Sequence, residues 1–277
     1  MLGRAERKMH PTECPTASVW FARFSRGVKL RMGEETRRNV ALTEEGVHGL
    51  MTFLEEDWDK GNEMEREEIE ELACFVLASY AGGLRGEEVP LIYLGGMTKF
   101  WGESSSHKIP HVMLTLMGRF KGEDGNRYHC VPLADVTRSG LPIRTWFQRL
   151  YVRRTGRQGR RTGWLFTKRG TNNETRAKLS QFDTKFKEYM CLVKERYPDC
   201  MPESCNPMED MSLWRSGRRE STVAAANNNV YKLAIEMNNN WRKQMRGRGT
   251  NPSFSMIYVY TEVRAALVAR LRYSRAL

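Results

Sequence analysis

Long apolar runs are missing from this chain. No stretch approaches the roughly 20 residues that a bilayer-crossing helix needs, so no membrane partner is expected. The opening MLGRAERKMHPTECP is charged throughout and has no apolar core, so no secretory leader is expected either. Cysteine is sparse, six in 277 residues. Without a leader, these six are expected to be free thiols rather than a disulfide framework. They fall in no CxxC pattern and no HxxxH accompanies them, although Cys200 and Cys205 lie close together, so a metal site is not expected. Internal repeats and low-complexity tracts are also absent.

What is abundant is positive charge, +12 at neutral pH with a pI near 9.6. Its distribution is uneven. Between Glu44 and Glu71 twelve acidic residues face only Lys60 and Arg66. Between Arg144 and Arg176 ten basic residues face only Glu174, and from Arg242 onward eight face only Glu262. A chain divided in this way is expected to have one face that attracts polyanions and a segment that repels them. Arginine dominates the basic blocks, and a guanidinium grips two phosphate oxygens at once. Nucleic acid is the expected partner.

Hydrophobic periodicity gives the architecture. The first 36 residues carry Pro, Gly and scattered charge without a period and are expected to form a tail or linker remnant; 37–277 is expected to be one domain. From Thr43, the spacing of Val47, Leu50, Met51, Leu54 and Trp58 predicts a helix. A second helix is predicted over 65–80, stopped by Gly82 and Gly83. VPLIYLGGM has the look of a buried strand, and HVMLTLMGRF and YHCVPL around KGEDGNR predict a hairpin with Lys121 at its tip. Helices are predicted over 141–153 and 178–197, separated by a basic loop, RRTGRQGRRTG. After YPDCMPESCNP comes a final helical third. The expected fold is mostly α with a small antiparallel β-sheet, an α+β domain.

Several segments, in this order, carry candidate chemistry. GLRGEEV (Gly83 to Val89) ends an apolar helix with Arg85 and, three residues on, Glu88. GRFKGEDG puts Lys121 on the hairpin turn. SLWRSGRRESTVAAANNNV offers Arg215 and Arg218 ahead of a small-residue helix, and NNNWRK places Trp241 23 residues after Arg218. MIYVYTEVRAALVARLRY carries Tyr258, Tyr260 and Tyr273; Tyr260 opens the YTEV stretch, 19 residues after Trp241. Taken together, these segments resemble the catalytic domain of the tyrosine recombinases, the phage-type integrase family, in a divergent eukaryotic or mobile-element-like form. The resemblance spans about Arg37 to Ala276.

The resemblance implies a tyrosine recombinase-like catalytic domain that cuts and rejoins DNA through a 3′-phosphotyrosyl intermediate. Arg85 and Arg218 would clamp the non-bridging phosphate oxygens, with Glu88 orienting Arg85. Trp241, and Arg215, would add donors. Tyr260 would attack phosphorus, and Lys121 would protonate the leaving 5′-oxygen. The phosphodiester energy is held in the covalent link, so no cofactor or metal is needed. Arg215 stands where the family carries histidine, and an arginine cannot serve as a base at neutral pH. A register shifted by one turn would make Arg215 the clamp and Ser212 the substituted position. A homo-oligomer on DNA is expected, in the nucleus if the source is eukaryotic and otherwise in the cytoplasm. Three alternatives stand beside this reading: a domesticated, non-catalytic DNA-binding protein, a type IB topoisomerase-like enzyme, and a basic structural protein.

Overall fold

The computed structural model describes residues 40–97, 110–118, 127–168, 175–213, 216–230, 235 and 263–277. All of them belong to one compact unit, Asn39–Leu277; the boundary expected at 36/37 lies outside the described residues.

Helix α1 spans Glu44–Lys60, and the Thr43 hydroxyl accepts from the Gly46 N–H at its start. Its apolar stripe (Val47, Leu50, Leu54) is fully buried. Helix α2, Glu63–Ala81, begins in a reciprocal capping box between Asn62 and Glu65. From Ile69 to Ala81 every residue is buried, so α2 is the central helix. The run VPLIYLGGM, expected as a strand, forms two short 3-10 turns instead, Val89–Leu91 and Leu94–Gly96. Between them only isolated bridges form, Ile92 to Leu116 and Tyr93 to Trp164. Pro90 has no N–H to donate, which keeps this run out of a regular ladder.

Strands β1 (His111–Gly118) and β2 (Arg127–Ala134) pair antiparallel, with His111 opposite Ala134 and Gly118 opposite Arg127. Helix α3, Ile143–Val152, packs on α2. It continues without a break into a wider helical turn over Arg153–Arg157, so the segment expected as a basic loop begins as helix. Helix α4, Ser180–Arg196, packs on α1, and Phe75, Phe166 and Phe182 interlock with ring centroids 4.9 to 5.9 Å apart. A short α5, Pro207–Asp210, leads to α6, Ser216–Asn227, and the chain closes with α7, Val263–Ala276, laid on β2. Among the described residues the architecture is mostly helical with one two-stranded antiparallel sheet, an α+β arrangement. No described helix is long and apolar enough to cross a membrane. The five cysteines within the described residues are free.

The acidic and basic blocks, expected to act separately on polyanions, pair in part with each other where α3 meets α2 and α1. Arg153 bonds Glu70 (2.6 and 2.9 Å) and Glu63; Arg154 bonds Glu67 and Glu71; Arg157 bonds Glu63. Arg149 grips Glu55 through two bonds of 2.6 and 2.7 Å, with its guanidinium 3.9 Å over the Trp58 ring. Lys185 and Arg196 take Glu68 and Glu56. Much of the two charge blocks is therefore consumed inside the molecule.

Candidate functional site: a shared carboxylate between Arg85 and Arg218

Arg85 is presented by the end of α2. Gly82 caps the helix, and Gly83, at φ +59°, turns the chain in a left-handed step that a side chain would oppose. The next turn folds back on itself: the Glu88 N–H donates to the Arg85 carbonyl (2.7 Å). The Glu88 carboxylate accepts from the Arg85 backbone N–H (2.8 Å) and from the Arg85 guanidinium (3.1 Å).

Arg218 reaches the same carboxylate from α6, 130 residues away in sequence, at 3.4 Å. Three features of the sequence bring it there. Asp183 on α4 accepts from the Leu213 N–H (2.8 Å) and the Ser212 hydroxyl (3.1 Å), which fixes the approach to α6. The Ser216 hydroxyl accepts from the Ser212 N–H at the helix start (3.1 Å). Gly217 then touches α2 so closely that a Cβ there would lie 2.9 Å from the Ser79 Oγ and 3.4 Å from the Tyr80 nitrogen. The Arg218 carbonyl, in turn, accepts from the hydroxyls of Ser221 and Thr222.

The electrostatics follow from the geometry. Arg218 is 11% and Glu88 9% exposed, while Arg85 keeps 28% open to solvent. Burial, then the positive charge of Arg85, lower the Arg218 guanidinium from its ordinary 12.5 to about 10. Two cations share one anion. A bound phosphate would relieve the repulsion between the two guanidinia.

Of the residues predicted for the site, Arg85 and Arg218 are brought together. Lys121, Arg215, Trp241 and Tyr260 lie outside the described residues, as does Tyr258. Tyr273 is fully buried, and its hydroxyl donates to Ser221 Oγ (2.8 Å), so it is not presented to a substrate. The helix that carries it is nevertheless informative. On α7, Ser274 Oγ accepts from the Ala134 N–H (2.9 Å), and Arg270 donates to the Cys130 carbonyl (2.7 Å). Moving toward the N-terminus of α7 therefore follows β2 back toward Arg127, where the hairpin turn begins.

Asp183, Ser79 and Gly217 were not singled out by the sequence. Gly217 had a signal: a glycine early in a helix costs roughly 1 kcal/mol against alanine, and close packing is the usual reason to tolerate it. Gly217→Ala is expected to push α6 off α2 and draw Arg218 away from Arg85. Misplacement by a fraction of an ångström is expected to slow any reaction at this site about tenfold. Measured rates of DNA strand cleavage, with thermal unfolding as control, check it.

A separate cleft is lined by Glu44, Glu45, His48, Asp199 and Cys200 and holds about 610 Å³. Its acids make it unsuited to a polyanion. No protein-family model matches the chain, and no curated protein sequence is similar to it.

Proposed function

We propose that this chain is a tyrosine recombinase-like catalytic domain that binds double-stranded DNA and cuts and rejoins it through a 3′-phosphotyrosyl link at Tyr260. The observation that carries the reading is the convergence of Arg85 and Arg218 on Glu88. Two arginines distant in sequence that share one carboxylate, one of them with a pKa lowered by burial and by the other's charge, are a candidate site for a further anion. The direction of α7 adds support. Tyr260 precedes that helix by three residues in the sequence, and it is the N-terminal direction of α7 that follows β2 back toward Arg127.

The chemistry assigned to each residue is as follows. Arg85 and Arg218 hold the non-bridging oxygens and offset the charge that grows as phosphorus becomes five-coordinate. Glu88 keeps both guanidinia aimed. Trp241 adds an indole N–H, and Arg215 adds a further positive donor but cannot take a proton. Tyr260 attacks phosphorus and gives its proton to solvent water, while the bond from phosphorus to the 5′-oxygen breaks and that oxygen takes a proton from Lys121. A second copy bound to the DNA cuts the strand with which the first is exchanged.

The test is a nicked duplex that traps the covalent intermediate. Wild type is expected to give a protein–DNA adduct that survives denaturation. Arg218→Gln is expected to slow its formation by about 10² to 10³, the usual loss for one donor to a developing oxyanion. Duplex affinity without any adduct from wild type would select the non-catalytic DNA-binding reading, to which Arg215 at the histidine position belongs.

A further inference from the structure

The arginine block after α3 divides into two kinds. Arg149, Arg153, Arg154 and Arg157 each have a carboxylate partner on α1 or α2. Arg160, Arg161 and Arg176 form no ion pair among the described residues; Arg160 and Arg176 contact Trp164, and Arg161 follows Arg160 directly in the sequence. Arg160 donates through Nη2 to the Trp164 carbonyl (2.7 Å), while its Nη1 is sheltered from water with no partner among the described residues. Arg176 sits with its guanidinium carbon 5.8 Å from the Trp164 ring centroid. Arg161 is exposed three residues before Trp164. Tyr93 closes the other side, edge-on at 6.2 Å, and its N–H donates to the Thr115 carbonyl of β1 (2.8 Å).

A sheltered guanidinium N–H without an acceptor is unfavourable, and a phosphate oxygen arriving at the Arg160 guanidinium would satisfy it. Burial and the charge of Arg154 also lower the pKa of Arg160, the mark of a cation short of compensation. The aromatic rings give this cluster a fixed frame: the Tyr93–Trp164 bridge ties it to the hairpin, and the Thr167–Arg176 bridge ties Arg176 to the same loop.

We propose that Arg160 and Arg176, which contact Trp164, and the exposed Arg161 next to Arg160 bind the phosphate backbone of duplex DNA, outside the Arg85–Arg218 site. This rests on the reading of the chain as DNA-binding and adds the surface that anchors the duplex.

The experiment measures duplex affinity as a function of salt for the full chain, on a duplex of about 30 base pairs. Arg160→Gln/Arg161→Gln/Arg176→Gln is expected to flatten the slope of log affinity against log salt by about 0.9 for each phosphate that is no longer neutralised, or roughly 2–3 in all. The corresponding triple lysine variant should keep most of the slope. If the triple glutamine variant does not fold, Arg161→Gln/Arg176→Gln, which alters only exposed side chains, should flatten the slope by about 2. A slope equal to that of wild type in a folded variant overturns the proposal. If that result accompanies a normal wild-type adduct, the catalytic reading stands and only this surface is wrong. A wild-type chain that binds no duplex overturns both.

Discussion

Arg154→Met is expected to lower folding stability by about 3–5 kcal/mol, the range for removing one partner of a buried ion pair. Arg154 is 0% exposed, and its partner Glu71 is 3% exposed. The same guanidinium bonds Glu67, the Gln158 side chain (2.9 Å) and the Leu165 carbonyl (3.1 Å). Methionine fills similar space but strips a buried carboxylate of its cation. A folded domain typically has only about 5–15 kcal/mol to lose. The loss should appear as a fall in the thermal midpoint of about 8–15 °C for a chain of this size. Adding Glu71→Leu to Arg154→Met should recover much of it, since the uncompensated charge is then gone. If Arg154→Met unfolds like wild type, the network contributes nothing to stability.

The pH dependence has a defined sign. Burial pushes the Glu67 carboxyl up, but the hydrogen bond and charge of Arg154 outweigh it, and the net direction is down from 4.5. A carboxyl lowered in the fold adds stability that is fully present above its unfolded value and is lost as pH falls through the folded one. The wild-type chain should therefore lose stability below about pH 4.5, and Arg154→Met should lose less over the same range.

How this network was written in the sequence explains where sequence reasoning succeeds and fails. Glu63, Glu67, Glu70 and Glu71 recur at helical spacing, and so do Arg149, Arg153, Arg154 and Arg157. Two stripes of opposite sign are a signal for two helices packed together. The glycines at 156, 159 and 163 made the arginine stripe look like a loop, and a loop of arginines looks like a surface for phosphate. Charge blocks alone cannot say whether the partner lies inside the molecule or beyond it. The helices were legible because their apolar periods are long. The hairpin was legible because two β-prone runs flank a Gly/Asp turn. VPLIYLGGM misled because a short apolar run fits any buried backbone, and only Pro90 hinted otherwise.

Arg85 and Glu88 could be paired from spacing alone, as neighbours in one turn. Their meeting with Arg218 could not be derived from a period, because it depends on how α6 docks on α2. Only the order of the segments linked them. The register in that segment, Arg218 against Arg215, turns on the same docking: Gly217 against Ser79 leaves the following residue facing Glu88.

The most direct test of the account is which tyrosine forms the covalent link to DNA. Wild type, Tyr258→Phe, Tyr260→Phe and Tyr273→Phe are each incubated with the nicked duplex, and denaturation-resistant adduct is measured beside duplex affinity. Tyr260→Phe removes one hydroxyl, whereas affinity comes from arginines and lysines elsewhere. In the helix that the sequence predicts for this segment, Tyr258 would lie about 200° from Tyr260 and could not offer its hydroxyl to the same phosphate. Tyr273 is buried against Ser221, and losing that bond should affect stability by about 1 kcal/mol rather than remove the nucleophile. The account predicts that Tyr260→Phe alone abolishes the adduct while duplex affinity stays nearly unchanged. A full yield of adduct from Tyr260→Phe would contradict it.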